Sequence, residues 1–203
     1  MKSKGILVVI SGFSGVGKGT VIELVMNALP NLKFSVSCTT RQPRKGEENG
    51  VDYHFLTEDE FEQKIKEDAF VEYTKTFTYH YGTYKSEIDK PIEDGLDVLM
   101  ELNVVGAKNI KKLYPDCVTI FVTPPSIEAL KARLIGRGSE TPETLERRLK
   151  EIEIESLDID KYDYIVTNNV AKSCAEEITR IIQSEHLKTD RIEVKNVFTS
   201  SED

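Results

Sequence analysis

The chain has 203 residues, of which 39% are hydrophobic and 31% charged, and its formal net charge is -8. This length suits one core with insertions, the composition argues against global disorder, and the acidic balance disfavours a general nucleic-acid binder. No apolar run approaches membrane-spanning length, and "MKSKG" leads at once into a strand-like run, so we expect a cytoplasmic protein without a signal peptide. Three widely spaced cysteines form no metal-binding pattern and predict free thiols: Cys38, Cys117 and Cys174.

The first predicted element is a buried parallel strand in "GILVVIS", near residue 8, and the helix "TVIELVMNAL" follows it after a glycine-rich turn. This turn, "GFSGVGKGT", nearly matches the phosphate-binding pattern G-x-x-x-x-G-K-[ST]. Its glycines let backbone N–H groups approach phosphate oxygens, the helix N-terminus adds positive potential, and Lys18 would reach the β- and γ-phosphates. A purely structural turn with a solvated lysine is the alternative. The predicted ATP-binding residues are Gly12, Phe13, Ser14, Gly15, Val16, Gly17, Lys18, Gly19 and Thr20.

Gly19 stands where this pattern usually has a magnesium-binding hydroxyl, and the hydroxyl comes one residue later, at Thr20. We therefore expect Mg²⁺ to be held by substrate phosphates and water, with no direct protein ligand, and Thr20 to bond a phosphate oxygen. The chain also lacks the guanine-reading motif N-K-x-D. Both observations favour a small nucleotide kinase over a switch GTPase.

Residues 34–90 interrupt the pattern of long apolar strands. Short, half-alternating runs, "FSVSCTT", "DYHFL" and "AFVEYTKTF", flank one short helix, "TEDEFEQKIKE", in which Thr57 and Glu60 form a capping box. This composition predicts a small α+β insertion. The predicted core is then residues 1–33 and 91–203, with a polar tail from about residue 189 that we expect to fray.

Two arginines in the insertion, Arg41 and Arg44, stand three residues apart around a proline. Guanidinium forks suit bidentate capture of a phosphate, and Tyr53 could add a hydroxyl donor. The alternative is a solvated basic turn that Glu47 and Glu48 neutralise.

After the insertion, strands are predicted in "LDVLMEL" near residue 99, "CVTIFVT" near 120 and "YDYIVTN" near 165. Helical patterns follow them: "VVGAKNIKKLY", "SIEALKARL", "TPETLERRLKEIEIE", with Thr141 as N-cap and Pro142 at its first position, and "AKSCAEEITRIIQSEH". This alternation predicts an α/β fold with a parallel sheet and right-handed crossovers. Glu101 ends a strand at the carboxyl edge, where ligands bind in such folds. The turn "GRGSET" suits a mobile lid over about residues 134–148, and arginines bracket it: Arg133, Arg137, Arg147 and Arg148.

Several of these motifs together resemble those of guanylate kinases. The regions that carry the resemblance are residues 11–20, 35–55, 70–83 and 124–149. The most characteristic stretches in them are "SVSCTTRQPRKGEENGVDYHF" at 35–55 and "PPSIEALKARLIGRGSET", which begins at 124. The similarity runs from residue 4 to about 185. It implies a P-loop α/β fold with a GMP-binding insertion at residues 34–90, a lid, and ATP-dependent phosphorylation of GMP, and of dGMP, with Mg²⁺ required. It further implies small-molecule nucleotide partners and a monomer or homodimer.

The resemblance also assigns roles to individual residues. On the GMP side it implies that the phosphate is held by Arg41, Arg44, Tyr53 and Tyr81, that guanine is read by Ser37, Glu72 and Thr83, and that Glu101 and Asn103 complete the site. On the ATP side it assigns charge compensation to Arg133 and Arg137, while Arg148 would reach between the two phosphates. Arg147 is expected to be a charge on the helix surface. With Lys18 and Arg41, the predicted catalytic residues are Arg133, Arg137 and Arg148.

The chain departs from the family pattern at Asn103, where an aspartate is usual, and at Phe13, where a proline is usual. An amide brings no charge to a metal or an arginine, so GMP affinity or turnover is expected to be reduced. Two alternatives stay open at this point. One is a guanylate-kinase-like scaffold domain that binds a peptide in the GMP groove, although the retained lysine and arginines argue against it. The other is a kinase for a different small phosphorylated acceptor.

Overall fold

Two β-sheets and the helices packed on them form the described part of the chain. The structure is a computed structural model that describes residues 4–76, 78–136 and 142–191. Within these residues the strands are β1 (Leu7–Gly12), β2 (Leu32–Phe34), β3 (Cys38–Thr39), β4 (His54–Phe55), β5 (Phe70–Thr76), β6 (Tyr79–Tyr84), β7 (Asp97–Glu101), β8 (Val118–Thr123) and β9 (Tyr164–Thr167). The α-helices there are α1 (Lys18–Ala28), α2 (Glu58–Lys66), α3 (Asp89–Glu93), α4 (Val104–Leu113), α5 (Ile127–Gly136), α6 (Pro142–Ser156) and α7 (Ala171–Glu185).

The larger sheet has five strands in the order β2-β7-β1-β8-β9, and every neighbouring pair is parallel. The predicted α/β fold with a parallel sheet flanked by helices is therefore confirmed. Four of the strands were predicted from apolar runs, whereas β2 was missed because three residues are too few to show a periodicity. Since all five strands run in one direction, their carboxyl ends meet at one edge, and β1 ends there directly before the phosphate loop.

Alternate residues of β1 enter two separate cores on the two faces of this sheet. Val8 and Ile10 pack into a cluster that includes residues of α1 and α7, while Leu7 and Val9 pack into one that includes residues of α3 and α4. Successive side chains of a strand point to opposite faces, so a strand covered on both faces has to be apolar at every position. This is why "LVVI" shows no alternation.

The smaller sheet lies within the predicted insertion and has the order β4-β3-β6-β5. Helix α2 packs on it through Phe61, which is fully buried and stacks on Phe70 with ring centroids 4.5 Å apart. The predicted capping box is present, because Thr57 Oγ1 accepts a bond from the Glu60 N–H at 3.2 Å and Glu60 Oε2 accepts one from the Thr57 N–H at 2.7 Å. This box stabilises the helix that carries the Phe61 contact.

Some sequence predictions differ from the structure or lie beyond its described part. Helix α1 begins at Lys18, two residues before the predicted run. Helix α6 begins at Pro142 as predicted, but its expected cap at Thr141, the centre of the predicted lid and the tail after residue 191 lie outside the described residues. The three cysteines are free and buried. None of the described helices combines the length and the apolar character that crossing a bilayer would require.

Candidate active site

A cleft of about 590 Å³ opens at the carboxyl edge of the parallel sheet, between this edge and the smaller sheet. Its walls come from four parts of the chain that are far apart in sequence, and three of them carry predicted site residues. The phosphate loop contributes Gly12, Ser14 and Lys18, and the end of β7 contributes Glu101 and Asn103. The insertion contributes four of the predicted GMP-side residues, which are Ser37, Tyr53, Glu72 and Tyr81.

The phosphate loop has the backbone that its glycines predict. Gly17 caps α1 with a φ of 98°, a left-handed conformation that side-chain-bearing residues rarely adopt. Lys18 lies in the first turn, and its Nζ donates to the Gly12 carbonyl at 2.9 Å and lies 3.7 Å from Glu101 Oε1. The lysine is thus held across its own loop, beside a carboxylate at the end of the neighbouring strand.

Not every residue of the predicted ATP loop offers its side chain to the cleft. Phe13 is buried in the core, where it packs edge-on against Phe121 with centroids 5.0 Å apart, and Val16 is also fully buried. Gly19 and Thr20 are exposed in the first turn of α1. Phe13 and Val16 therefore have only backbone groups to offer a ligand.

Two of the predicted lid-side arginines contact the phosphate loop from different directions. Arg148, on α6, donates from Nη1 to Ser14 Oγ. Arg133, on α5, donates from Nη1 to the Val16 carbonyl at 3.0 Å and from Nη2 to the Asn168 carbonyl at 2.9 Å. Its guanidinium therefore lies behind the loop and not among the residues that line the cleft. Arg137 lies outside the described residues.

The predicted GMP-phosphate arginines do not line the cleft here. Arg41 forms a bidentate pair with Glu47, from Nη1 to Oε2 and from Nη2 to Oε1, each at 2.9 Å, and this bonding raises the pKa of Arg41. The guanidinium also lies over the Tyr53 ring, 5.3 Å from its centroid. Arg44 is exposed, and its backbone N–H donates to the same Glu47 carboxylate at 2.7 Å. Glu47, which the sequence suggested only as a neutralising charge, thus organises this turn.

Glu72 is a buried carboxylate in the wall of the cleft. It is 8% exposed, and its Oε1 accepts a bond at 3.2 Å from the hydroxyl of the fully buried Thr83. Burial raises the pKa of Glu72 to about 7, although the Thr83 bond acts in the opposite direction. Among the described residues no cation pairs with this carboxylate, and a buried charge without a partner is costly. A polar ligand bound in the cleft could supply the missing partner.

Asn103 has a structural task that the sequence analysis missed. Its side chain caps α4, because Oδ1 accepts a bond from the Gly106 N–H at 2.8 Å. Asparagine is a favoured cap, and its place directly before "VVGAKNIKK" could have revealed this. One carbonyl lone pair of the amide is therefore used by the helix, while the residue still lines the cleft.

Glu155 is a second residue that sequence reasoning missed. It lies on α6 and lines the cleft together with Lys18 and Glu101. Burial raises its pKa, and the positive charge of Lys18 acts in the opposite direction. No local signal distinguishes it from Glu151 and Glu153, since all three occur in one charged helical run and only the packing of α6 turns one of them to the cleft.

Comparisons with known proteins agree with this geometry. The family model described as guanylate kinase matches residues 4–185. The chain is 43% identical over 201 residues to the guanylate kinase of Clostridium perfringens, which covers 99% of this chain and 93% of that protein. It is also 43% identical over 192 residues to the guanylate kinase of Oceanobacillus iheyensis, covering 95% and 93%.

A solved structure is similar as well. The crystal structure of guanylate kinase from Anaplasma phagocytophilum superimposes with a TM-score of 0.77 at 29% identity, covering 94% of this chain and 90% of that one. The phosphate loop, the cleft with its buried carboxylate and these relatives over nearly the full length lead to one conclusion. The chain belongs to the guanylate kinase family.

Proposed function

We propose that this chain transfers the γ-phosphoryl group of ATP to GMP in the cleft, with the two nucleotides held end to end. The observation that carries this proposal is that Lys18 of the phosphate loop and the buried carboxylate of Glu72 line the same cavity. Two multiply charged nucleotides repel each other, so the protein has to hold both and offset the charge between them. Catalysis is then placement and electrostatic stabilisation, since the GMP phosphate is already an anionic nucleophile.

ATP binds with its phosphates at residues 12–20. Backbone N–H groups of the loop and the N-terminus of α1 face the phosphates, and Lys18 exchanges its bond to the Gly12 carbonyl for the β- and γ-phosphates. Arg148 already contacts Ser14 of the phosphate loop, and from this end of the cleft it can reach the transferred group. Arg137 is proposed to act beside it when the lid, about residues 134–148, closes over the nucleotides.

GMP binds in the insertion, residues 34–90, which we propose acts as a GMP-binding subdomain. Guanine presents N1–H and the N2 amino group side by side, and one carboxylate, Glu72, accepts both. Thr83 fixes this carboxylate from behind, and Ser37 lines the same wall. Adenine has an acceptor at N1 and no 2-amino group, so it would leave Glu72 unpaired and be rejected by roughly 10⁴-fold.

The GMP phosphate binds between the two tyrosines that line the cleft, Tyr53 and Tyr81, and Arg41. Glu47 accepts bonds from both end nitrogens of the Arg41 guanidinium. The phosphate either displaces this carboxylate or accepts a bond from the Nε edge of the guanidinium. The exposed side chain of Arg44 then moves toward the phosphate.

Mg²⁺ fits the chemistry of the donors at the ATP end of this cleft. Residue 19 has no hydroxyl, while the carboxylates of Glu101 and Glu155 line the same cleft as Lys18. Mg²⁺ would be held by ATP phosphates and water, with these carboxylates accepting bonds from that water, and would supply positive charge at the β- and γ-phosphates. The monomeric or dimeric state and the cytoplasmic location stay predictions from the sequence.

The direct test is an ADP-release assay with ATP, Mg²⁺ and each of GMP, dGMP, AMP, CMP and UMP. We expect turnover with GMP and dGMP and at least 10³-fold lower kcat/KM with AMP, because adenine has no donor at N1 or C2 for Glu72 to accept from. Strong AMP turnover would contradict base reading by Glu72. Absence of turnover with every acceptor, together with tight peptide binding, would favour the scaffold alternative.

Replacing Arg41 by lysine is expected to raise the KM for GMP about tenfold or more while the KM for ATP stays within twofold. An ammonium keeps the charge but cannot make the planar fork that engages Glu47 and a phosphate together. Steady-state kinetics with each nucleotide varied in turn measures both values. Lys45→Arg, an exposed position in the same turn, is the control for a charge-conserving exchange. Equal changes in both KM values would show that Arg41 acts by stabilising the fold of the insertion and not by binding the GMP phosphate.

A further inference from the structure

Hydrogen bonds to one carbonyl of the phosphate loop, that of Val16, connect the back of this loop to the segment between β9 and α7. The Val16 carbonyl accepts two hydrogen bonds, one from Asn168 Nδ2 at 2.8 Å and one from Arg133 Nη1 at 3.0 Å. Arg133 also donates from Nη2 to the Asn168 carbonyl at 2.9 Å. Asn168 is itself fixed, since it is 4% exposed and its N–H donates to the Thr123 carbonyl at 2.7 Å.

These two bonds determine where the next N–H group points. The described part of the chain contains no cis peptide bond, and in a planar trans peptide the carbonyl and the N–H that follows it point in opposite directions. Asn168 and Arg133 are not among the residues that line the cleft, whereas Ser14 and Lys18 are. The Val16 carbonyl therefore points away from the cleft, and the Gly17 N–H points to the side of the phosphate site. Within the described residues, this N–H has no hydrogen-bond acceptor.

Gly17 needs such an external restraint. With a φ of 98° and no Cβ, its flanking peptide planes can rotate at low cost, so the loop backbone alone does not hold the N–H in one direction. Gly17 also lies close to the Asn168 side chain that provides this restraint. A Cβ on Gly17 would lie only 2.8 Å from Asn168 Nδ2. Because residue 17 has no side chain, Asn168 can come close enough to hold the Val16 carbonyl. Holding this carbonyl fixes the direction of the Gly17 N–H.

We propose that Asn168, together with Arg133, is a positioning residue for the phosphates of ATP: by holding the Val16 carbonyl it keeps the Gly17 N–H aimed at a phosphate oxygen. This rests on the proposed function only in taking residues 12–20 as the ATP phosphate site. Arg133 accordingly acts on the ATP phosphates indirectly, by holding the phosphate loop from behind. Asn168 is the cleaner of the two to test because it is neutral and its side chain does not line the cleft.

The test compares Asn168→Ala with the wild-type chain by calorimetric titration of ATP and, separately, of inorganic tripolyphosphate, which has no base or sugar. We expect both ligands to bind about tenfold more weakly to the variant, because one buried hydrogen bond that orients the donor is lost. The KM for GMP should change by less than twofold. Asn27→Ala, which removes an exposed amide from α1, is the matched control and should change neither affinity.

A second measurement begins with the wild-type chain alone. In the ¹⁵N-labelled wild-type chain, the Gly17 amide signal should move downfield when tripolyphosphate is added, as expected for an N–H that donates to a phosphate. In Asn168→Asp, which keeps the shape but has no donor for the Val16 carbonyl, this displacement should fall by at least half.

Three results would overturn the proposal. One is a Gly17 amide that does not respond to tripolyphosphate in the wild-type chain, which decides the question even if the variants fail to fold. Another is tripolyphosphate affinity that is unchanged in Asn168→Ala, even if ATP affinity falls, since Asn168 would then act on the base. The third is an equal loss of GMP and ATP affinity, which would indicate general disruption. A wild-type chain that binds tripolyphosphate at Gly17 but does not phosphorylate GMP would contradict the proposed function alone.

Discussion

Lys18→Ala is expected to lower kcat by about 10³-fold while the chain keeps its fold. The ammonium is the charge that the phosphate loop brings to the β- and γ-phosphates, and preorganised charge at a transferring group is worth this much in a site that excludes water. In the structure, the ammonium donates to the Gly12 carbonyl at 2.9 Å and to the Phe13 carbonyl at 3.4 Å, and it lies 3.7 Å from Glu101 Oε1. Its loss should therefore cost about 1 kcal/mol of folding free energy.

The measurement is single-turnover phosphoryl transfer at saturating ATP and GMP, with thermal unfolding followed in parallel. Lys64→Ala is the matched control, because Lys64 lies on α2 and forms only an exposed ion pair with Glu67 among the described residues. This substitution should leave both rate and stability nearly unchanged. A Lys18→Ala chain that retained near-normal single-turnover rates would remove the phosphate loop from the proposed mechanism. Loss of the melting transition would instead assign the lysine to the fold.

Glu72→Gln is expected to weaken GMP binding and to stabilise the fold. The amide presents N–H to the donors of guanine and carries no charge, so the KM for GMP should rise about 10²-fold or more, with the KM for ATP nearly unchanged. Among the described residues, however, the carboxylate has no cationic partner, and burial raises its pKa from the ordinary value of 4.5 to about 7. Replacing it removes the cost of ionising a buried acid.

The stability gain depends on pH in a defined direction. Because the folded chain binds this proton more tightly than the unfolded chain does, Glu72 makes the wild type lose stability as the pH rises from about 4.5 to about 7. Above pH 7 the loss is complete and amounts to about 3 kcal/mol, at 1.36 kcal/mol for each pKa unit. Glu72→Gln should thus melt roughly 6 to 9 °C higher than the wild type at pH 8 and at nearly the same temperature at pH 4.5.

Thermal unfolding of both chains between pH 4.5 and 8.5 measures this difference. Glu62→Gln, an exposed change of the same kind on α2, should show no pH-dependent difference from the wild type. A melting difference that shrinks with rising pH would show that the Glu72 carboxylate is stabilised in the free protein. An unchanged KM for GMP in Glu72→Gln would contradict its assignment to guanine.

The elements that local patterns encode were predictable from the sequence. The apolar runs of β1, β7, β8 and β9, the capping box of α2, the proline at the start of α6 and the phosphate loop each occupy a short stretch. Their physical causes, namely burial on both faces, satisfaction of helix-terminal N–H groups and the conformational freedom of glycine, act within that stretch. The nucleotide-binding character of the chain followed from the loop and from the motifs shared with guanylate kinases.

Only the tertiary structure decided which groups meet across distant parts of the chain. Glu47 engages the fork of Arg41, Arg133 lies behind the phosphate loop, and α6 turns Glu155 to the cleft. Long, flexible side chains can reach many partners, and the choice among them depends on packing that no local pattern records. The raised pKa of Glu72, a β5 residue paired with Thr83 of β6, has the same origin. Its cause is burial, and burial is a property of the folded chain.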